Sequence, residues 1–227
     1  MRFGIVTFPG SNCDQDLRYV VEEVFEIKTD MIWHKEDLEN NYNAILLPGG
    51  FSYGDYLRSG AIARFSPVMD SVIDFANQGG LVLGICNGFQ ILMEAGLLPG
   101  AMKVNDNLKF VCKHVKLQIK NNQTPFTEKL ERDQILNIPV AHQEGNFYID
   151  DRGLDKLKVN DQIVLKYLND SENPNGSIEN IAGICNKEKN VFGLMPHPER
   201  ASEDILSSSD GKKIFESLIS FLKEGVN

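Results

Sequence analysis

The sequence predicts an α/β protein with a mostly parallel central sheet, helices on both faces, and an antiparallel strand addition. Three observations predict it. The first half alternates short, uniformly apolar segments with amphipathic ones, the pattern of parallel strands covered on both faces. Several of those apolar segments run straight into Gly- or Pro-rich turns. The middle changes period: Val115-Lys116-Leu117-Gln118-Ile119-Lys120 alternates strictly, as a half-exposed antiparallel strand does.

In chain order, Phe3–Phe8 reads as a strand. Asp14–Glu26 reads as a helix with Leu17, Val20, Val21, Val24 and Phe25 on one face. Met31–Trp33 and Ala44–Leu47 are short strands, the second ended by Pro48-Gly49-Gly50. Ala61–Asn77 reads as a helix with Val68, Val72, Ile73 and Phe75 inward. Gly80–Ile85 is a buried strand, and Asn87–Ala95 is the helix that leaves it. Beyond Val115–Lys120, strands are predicted at Ile163–Leu168 and Ile178–Cys185, with hairpin-turn chemistry at Asn173-Pro174-Asn175-Gly176 between them. Val191–Leu194 is a late strand, and Lys212–Leu222 a closing amphipathic helix. No repeat, low-complexity segment or long linker divides the chain, so one domain over 1–227 is expected.

Composition narrows the function. The 227 residues are 42% hydrophobic and 24% charged, with a formal net charge of −9. No Lys/Arg-rich block is present, which argues against nucleic acid or an anionic membrane surface as partner. No stretch approaches the roughly 18 apolar residues of a spanning helix, and the N-terminal apolar run is too short for a signal peptide. Cys13, Cys86, Cys112 and Cys185 form no C-x-x-C pair and match no zinc spacing. No metal is therefore expected, and the cytoplasm is the simple location.

The chemistry concentrates at Gly84-Ile85-Cys86-Asn87-Gly88. A buried strand followed by a turn and a helix fits the G-x-S-x-G nucleophile elbow with Cys in place of Ser. The sulfur then sits at a helix N-terminus, where unpaired N–H groups favour thiolate. The plain alternative is a buried structural cysteine. His197-Pro198-Glu199, after the last strand, supplies what the elbow lacks. His197 can act as base and Glu199 can hold its other nitrogen, since residues i and i+2 of an extended segment point the same way. Pro196 and Pro198 stiffen the approach. His34, His114 and His142 are rival bases, with His142 the serious one in Ala141-His142-Gln143-Glu144-Gly145.

Attack on an acyl carbon also needs oxyanion donors. The N–H of Asn87 is one. Gly50, in the Pro48-Gly49-Gly50 turn, is the candidate for the second, because glycine lets its backbone turn inward. In a parallel sheet the exits at Pro9-Gly10, Pro48-Gly49, Gly84–Gly88 and Met195–Glu199 open on one edge. No G-x-x-x-x-G-K-[ST] loop and no dinucleotide fingerprint is present.

These residues resemble the class I (triad) glutamine amidotransferases, nearly end to end. The matching segments are Phe8–Asp14, Pro48–Arg58, Gly84–Gln90, Pro139–Tyr148 and Met195–Ala201. Phe51–Arg58 and Gly145–Tyr148 resemble, more narrowly, the glutaminase subunits acting at the amidine-forming step of de novo purine synthesis. The resemblance implies a flavodoxin-like three-layer sandwich. It implies that Cys86 attacks the amide of L-glutamine, that His197 moves the protons, and that Glu199 orients His197. It further implies that Gln90, Gly145, Asn146 and Phe147 contact the substrate. Gln143 stands where the subfamily carries glycine, which would strain the loop if that position needed φ above zero.

The implied partners are a large, ATP-using synthetase subunit together with a small bridging subunit. No cofactor is expected on this chain, with ATP and Mg on the synthetase. Asp55–Arg64 and Gly96–Gly100 are candidate contact surfaces. Three readings remain beside this one: a glutaminase serving another acceptor, a cysteine hydrolase or peptidase of the same topology, and a binding module that has kept the fold.

Overall fold

The structure is a computed structural model and describes residues 1–39 and 41–225; residues 226 and 227 of the expected domain lie outside the described residues. Its centre is a nine-stranded sheet. In chain order the strands are β1 (Arg2–Thr7), β2 (Lys28–Trp33), β3 (Ala44–Leu47), β4 (Leu81–Ile85), β5 (Ala101–Lys103), β6 (Val111–Ile119), β7 (Ile135–His142), β8 (Asn146–Tyr148), β9 (Ile163–Tyr167), β10 (Ile181–Cys185) and β11 (Val191–Leu194). The sheet order is β2-β1-β3-β4-β11-β10-β9-β6-β7, and β5 pairs with β8 alone.

From β2 to β11 all neighbours are parallel; from β11 to β7 all are antiparallel. The parallel half is why the exits of β1, β3, β4 and β11 share one edge. Strands β3, β4 and β11 are buried along their whole length, as double-sided cover requires. Helices α1 (Asp14–Tyr19), α2 (Pro67–Asn77), α3 (Asn87–Glu94), α4 (Asp151–Val159) and α5 (Lys212–Glu224) complete the fold. One apolar core runs from Phe3 on β1 through Phe89 on α3 to Phe215 on α5.

Several elements differ from expectation. The helix expected over 61–77 begins at Pro67, because Ser66 before the proline is extended at ψ 141°; Ala63–Phe65 form a separate 3₁₀ turn. The first helix widens into a π turn at Val20–Val24, where Phe25 N–H bonds Val20 O at 3.2 Å. The strand expected from Ile178 starts at Ile181, after a 3₁₀ turn. Strand β7 was not foreseen, since Pro139 argues against a strand interior. It is tolerated because β7 is the edge of the sheet. Leu136, Ile138, Val140 and His142 alternate inward along it. Helix α4 buries only Leu154 and Leu157 and so carries a thin apolar signal; the Asp150 side chain caps it by accepting from Gly153 N–H at 2.8 Å.

Candidate functional site

Cys86 joins β4 to α3 with φ +50° and ψ −104°. A non-glycine residue held there costs on the order of 1–3 kcal/mol, which the surroundings must supply. Two contacts supply it. Cys86 N–H donates to Leu194 O at 2.8 Å, extending the β4–β11 ladder past the turn. Gly88 lies so close to the Leu47 carbonyl that any Cβ there would collide with it. The turn therefore needs small residues, as the elbow pattern predicts. The Cys86 thiol is 4% exposed and lies 3.7 Å from Ala141 O, at the end of β7.

His197 follows β11 on the same edge. Its backbone N–H donates to Pro139 O at 2.8 Å, using a carbonyl on the outer side of β7. Its Nδ1–H donates to Glu199 Oε1 at 2.6 Å, with both side chains essentially buried. The pairing is not made in an extended segment as the spacing suggested. Pro198–Ala201 turn in a 3₁₀ coil, and Glu199 curls back onto His197. His197 Nε2 and Glu199 Oε2 are buried without hydrogen-bond partners. Burial opposes a charge on His197, but Glu199, with the Cys86 and Cys13 sulfurs close by, outweighs it and raises the imidazole well above its ordinary pKa.

His142, the rival base, is occupied elsewhere. Asn105 Oδ1 lies 3.2 Å from its Nδ1, and Asn175 Nδ2 lies 3.4 Å from its Nε2. Burial, with the nearby His197, pushes its pKa down to about 4. It is a neutral member of a polar network that also includes Tyr167, whose hydroxyl accepts from Asn175 Nδ2 at 3.0 Å. This network props up the chain after β7.

A cavity of about 270 Å³ opens over the Cys86 sulfur, walled by Gly50, Asp55, Ser59, Gln90 and residues 141–144. A larger depression of about 350 Å³, between Leu38, Tyr42 and Phe75, is lined by no cysteine or histidine. In the first cavity Ser59 N–H donates to Glu144 Oε2 at 3.1 Å, and Gln90 Nε2 donates to Glu144 O at 2.5 Å. Burial and the Glu144 carboxylate raise the Asp55 pKa to about 6. Two carboxyl groups thus face one amino-acid-sized space.

Gly50 has φ +147°, and a Cβ there would lie 2.8 Å from Asn12 N and from Ser11 Cα. The bridge beside it uses Phe51 N–H to Gly10 O at 2.9 Å and Cys13 N–H to Gly49 O at 3.2 Å, not the Gly50 N–H.

The structure thus brings Cys86, Asn87, Gln90, Gly50, His197 and Glu199 to one place. It sets Gly145, Asn146 and Phe147 behind the cavity wall. Gly145 N–H donates to Asn105 Oδ1 at 3.0 Å, Asn146 Nδ2 to Asp106 Oδ1 at 2.7 Å, and the Phe147 ring stacks on Phe89 at 6.2 Å. On this side the wall itself is made by residues 141–144. Gln143 stays out of the positive-φ region, so glycine is not required there. Glu144 and Cys13 were not foreseen at the site, and Asp55 and Ser59, expected on a partner-contact surface, line its cavity. Isolated acids and a lone cysteine in loops carry no spacing signal.

Residues 1–222 match the CobB/CobQ-like glutamine amidotransferase domain. The chain is 54% identical to the phosphoribosylformylglycinamidine synthase subunit PurQ of Moorella thermoacetica, over 99% of this chain and 98% of that one. It is equally similar to the PurQ subunit of Alkaliphilus metalliredigens, at 54% identity over 100% and 99% of the two chains. Among solved structures it superposes on a chain of PurLQS from Thermotoga maritima with a TM-score of 0.88 and 45% identity, over 97% and 98% of the chains. The glutaminase domain of Trypanosoma brucei CTPS shares the fold, with a TM-score of 0.63 at 12% identity over 99% and 94% of the chains.

Proposed function

The chain belongs to the CobB/CobQ-like glutamine amidotransferase domain family, and from that premise we propose that it is the glutaminase subunit of a phosphoribosylformylglycinamidine synthase. The observation that carries the chemistry is the strained Cys86 elbow facing a buried His197–Glu199 pair.

Glutamine enters the cavity with its α-ammonium toward Asp55 and Glu144 and its amide toward Cys86. The sulfur attacks the amide carbon, and the C=O electron pair moves onto oxygen. The Gly50 and Asn87 N–H groups hold that oxyanion. His197, kept cationic by Glu199, gives a proton to the departing nitrogen as the C–N bond breaks. Ammonia leaves and a glutamyl thioester remains. His197 then takes a proton from water, whose oxygen attacks the thioester. The C–S bond breaks with its electron pair on sulfur, glutamate departs, and the proton now on His197 restores the starting pair.

The ammonia passes to a synthetase subunit, with a small bridging subunit in the assembly. There formylglycinamide ribonucleotide becomes formylglycinamidine ribonucleotide, with ATP and Mg²⁺ bound on the synthetase. The near-complete coverage of curated PurQ chains supports this acceptor over another. The chain works as one amidotransferase domain in the cytoplasm. No helix among the described residues is long and apolar enough to cross a membrane.

The test is reconstitution with the synthetase and bridging subunits on glutamine labelled with ¹⁵N in its amide. Label in the amidine ribonucleotide is the expected result. Glutamine turnover without labelled product would assign another acceptor. Ester or peptide cleavage without glutamine turnover would assign a hydrolase.

A further inference from the structure

Cys13 has no part in this reaction, yet it lies against the catalytic base. A Cβ on Gly49 would sit 3.0 Å from Cys13 Sγ and 2.7 Å from His197 Cε1, so thiol and ring are packed side by side. One donor atom each from Cys13, His197 and Glu199 lies within 4.8 Å of the other two. All three residues are buried. Glu199 Oε2 and His197 Nε2 are buried with no hydrogen-bond partner. Among the described residues this is the one such trio.

We propose that Cys13, His197 and Glu199 form a binding site for a zinc-class divalent cation, and that occupancy silences the glutaminase. A thiolate, an imidazole and a carboxylate are the donor types of tetrahedral zinc sites. Magnesium and calcium call for oxygen ligands, so the thiol selects against them. Three protein donors leave a fourth position for water. A separate cavity of about 80 Å³, bordered by Asn12, Cys13, Phe110, His197 and Arg200, gives that water room and the ion a way in. As the ion binds, the Cys13 thiol and the His197 imidazolium each release a proton to solvent.

One group opposes the ion. Arg200 donates to Cys13 Sγ at 3.1 Å. Its side chain is 35% exposed and also pairs with Asp16 at 3.0 Å, so it can withdraw toward Asp16. The consequence for catalysis is direct. Metal on His197 removes the base from Cys86, and metal on Glu199 removes its orienting partner. Sequence spacing could not reveal the trio, because Cys13 comes from the first strand exit and the other two from the last.

Cobalt(II), a spectroscopic stand-in for zinc, tests the site on the full chain. The expected result is a thiolate-to-cobalt absorption band in the wild type and in Cys86→Ala, lost in Cys13→Ser. Zinc should inhibit wild-type glutaminase reversibly by chelator, with Cys13→Ser about tenfold or more less sensitive. A band that survives in Cys13→Ser, disappears in Cys86→Ala, or never forms in the wild type would overturn the proposal. Should Cys13→Ser fail to fold, Cys86→Ala/Cys112→Ser decides, since it keeps Cys13 and the fully buried Cys185 as its remaining thiols. The band persists there if the site is Cys13 and vanishes if the metal sat on the nucleophile or on exposed Cys112. None of these readouts depends on which acceptor receives the ammonia.

Discussion

Asn87 holds Ser52. The buried Asn87 Oδ1 accepts from Ser52 N–H at 3.1 Å, and its Nδ2 donates to Gln90 Oε1 at 2.9 Å. The side chain thereby ties the nucleophile's helix to the loop after β3. That loop needs tying: Tyr53, Asp55 and Leu57 all have positive φ. The two proposed oxyanion donors, the N–H groups of Gly50 and Asn87, belong to the two segments so joined.

Asn87→Ala should therefore lower kcat more than it raises KM. Loss of alignment at one oxyanion donor costs up to about 10²–10³ in rate, and a loosened donor should cost about tenfold or more. Steady-state glutaminase kinetics checks this. A change confined to KM would separate the Asn87 tie from the oxyanion donors.

Glu199→Gln should lower kcat by about 10²–10⁴, because the neutral amide neither fixes the imidazole tautomer nor stabilises the cation. A second readout follows from linkage. The folded-state pKa of His197 is raised, so its contribution to stability is full below the unfolded value near 6.5 and is lost as pH rises through the folded value. Thermal melts across that range should show this loss in the wild type and a flatter profile in the variant. Parallel profiles would break the link between Glu199 and the His197 charge.

Asp55, with its pKa raised to about 6, should make substrate binding pH-dependent. Its carboxylate, present above pH 6, attracts the α-ammonium of glutamine; its protonated form does not. KM should rise as pH falls through about 6, and Asp55→Asn should have a high KM that no longer changes there. The KM profile from pH 5 to 8 measures it. A variant that keeps the wild-type profile would remove Asp55 from substrate binding.

The free chain should hydrolyse glutamine slowly, and the acceptor-loaded complex should raise kcat by tenfold or more, a coupling of at least about 1.4 kcal/mol. The candidate switch is the Gly50 peptide. Its φ of +147° is open to glycine, and a Cβ would strike Ser11 and Asn12. Gly50→Ala should accordingly abolish activity in both states. Equal kcat for free chain and complex would mean that the site is already formed.

What was legible in the sequence follows from the range of each interaction. Leu81–Ile85 and Asn87–Glu94 declare themselves through uninterrupted apolar runs and the glycines between them. Cys86, His197 and Glu199 were legible because an elbow and a proline-flanked His-x-Glu each have local chemistry. Strand β7 was hidden by Pro139, whose tolerance depends on lying at a sheet edge. Substrate contacts are expected from the sequence at Gly145, Asn146 and Phe147, whereas residues 141–144 line the cavity, because the polar network of Asn105, His142 and Asn175 beside it is assembled from distant segments. Asp55 and Glu144 meet only through tertiary folding, so no spacing announces them.

In the proposed reaction Cys86 is the nucleophile that frees ammonia for a separate acceptor site. The most direct measurement compares Cys86→Ala with the wild type in the reconstituted complex, using glutamine or an ammonium salt as nitrogen source. The variant should lose glutamine-dependent synthesis and keep ammonium-dependent synthesis near the wild-type rate, because free ammonia bypasses the thioester. Glutamine-dependent synthesis persisting in Cys86→Ala would contradict the account.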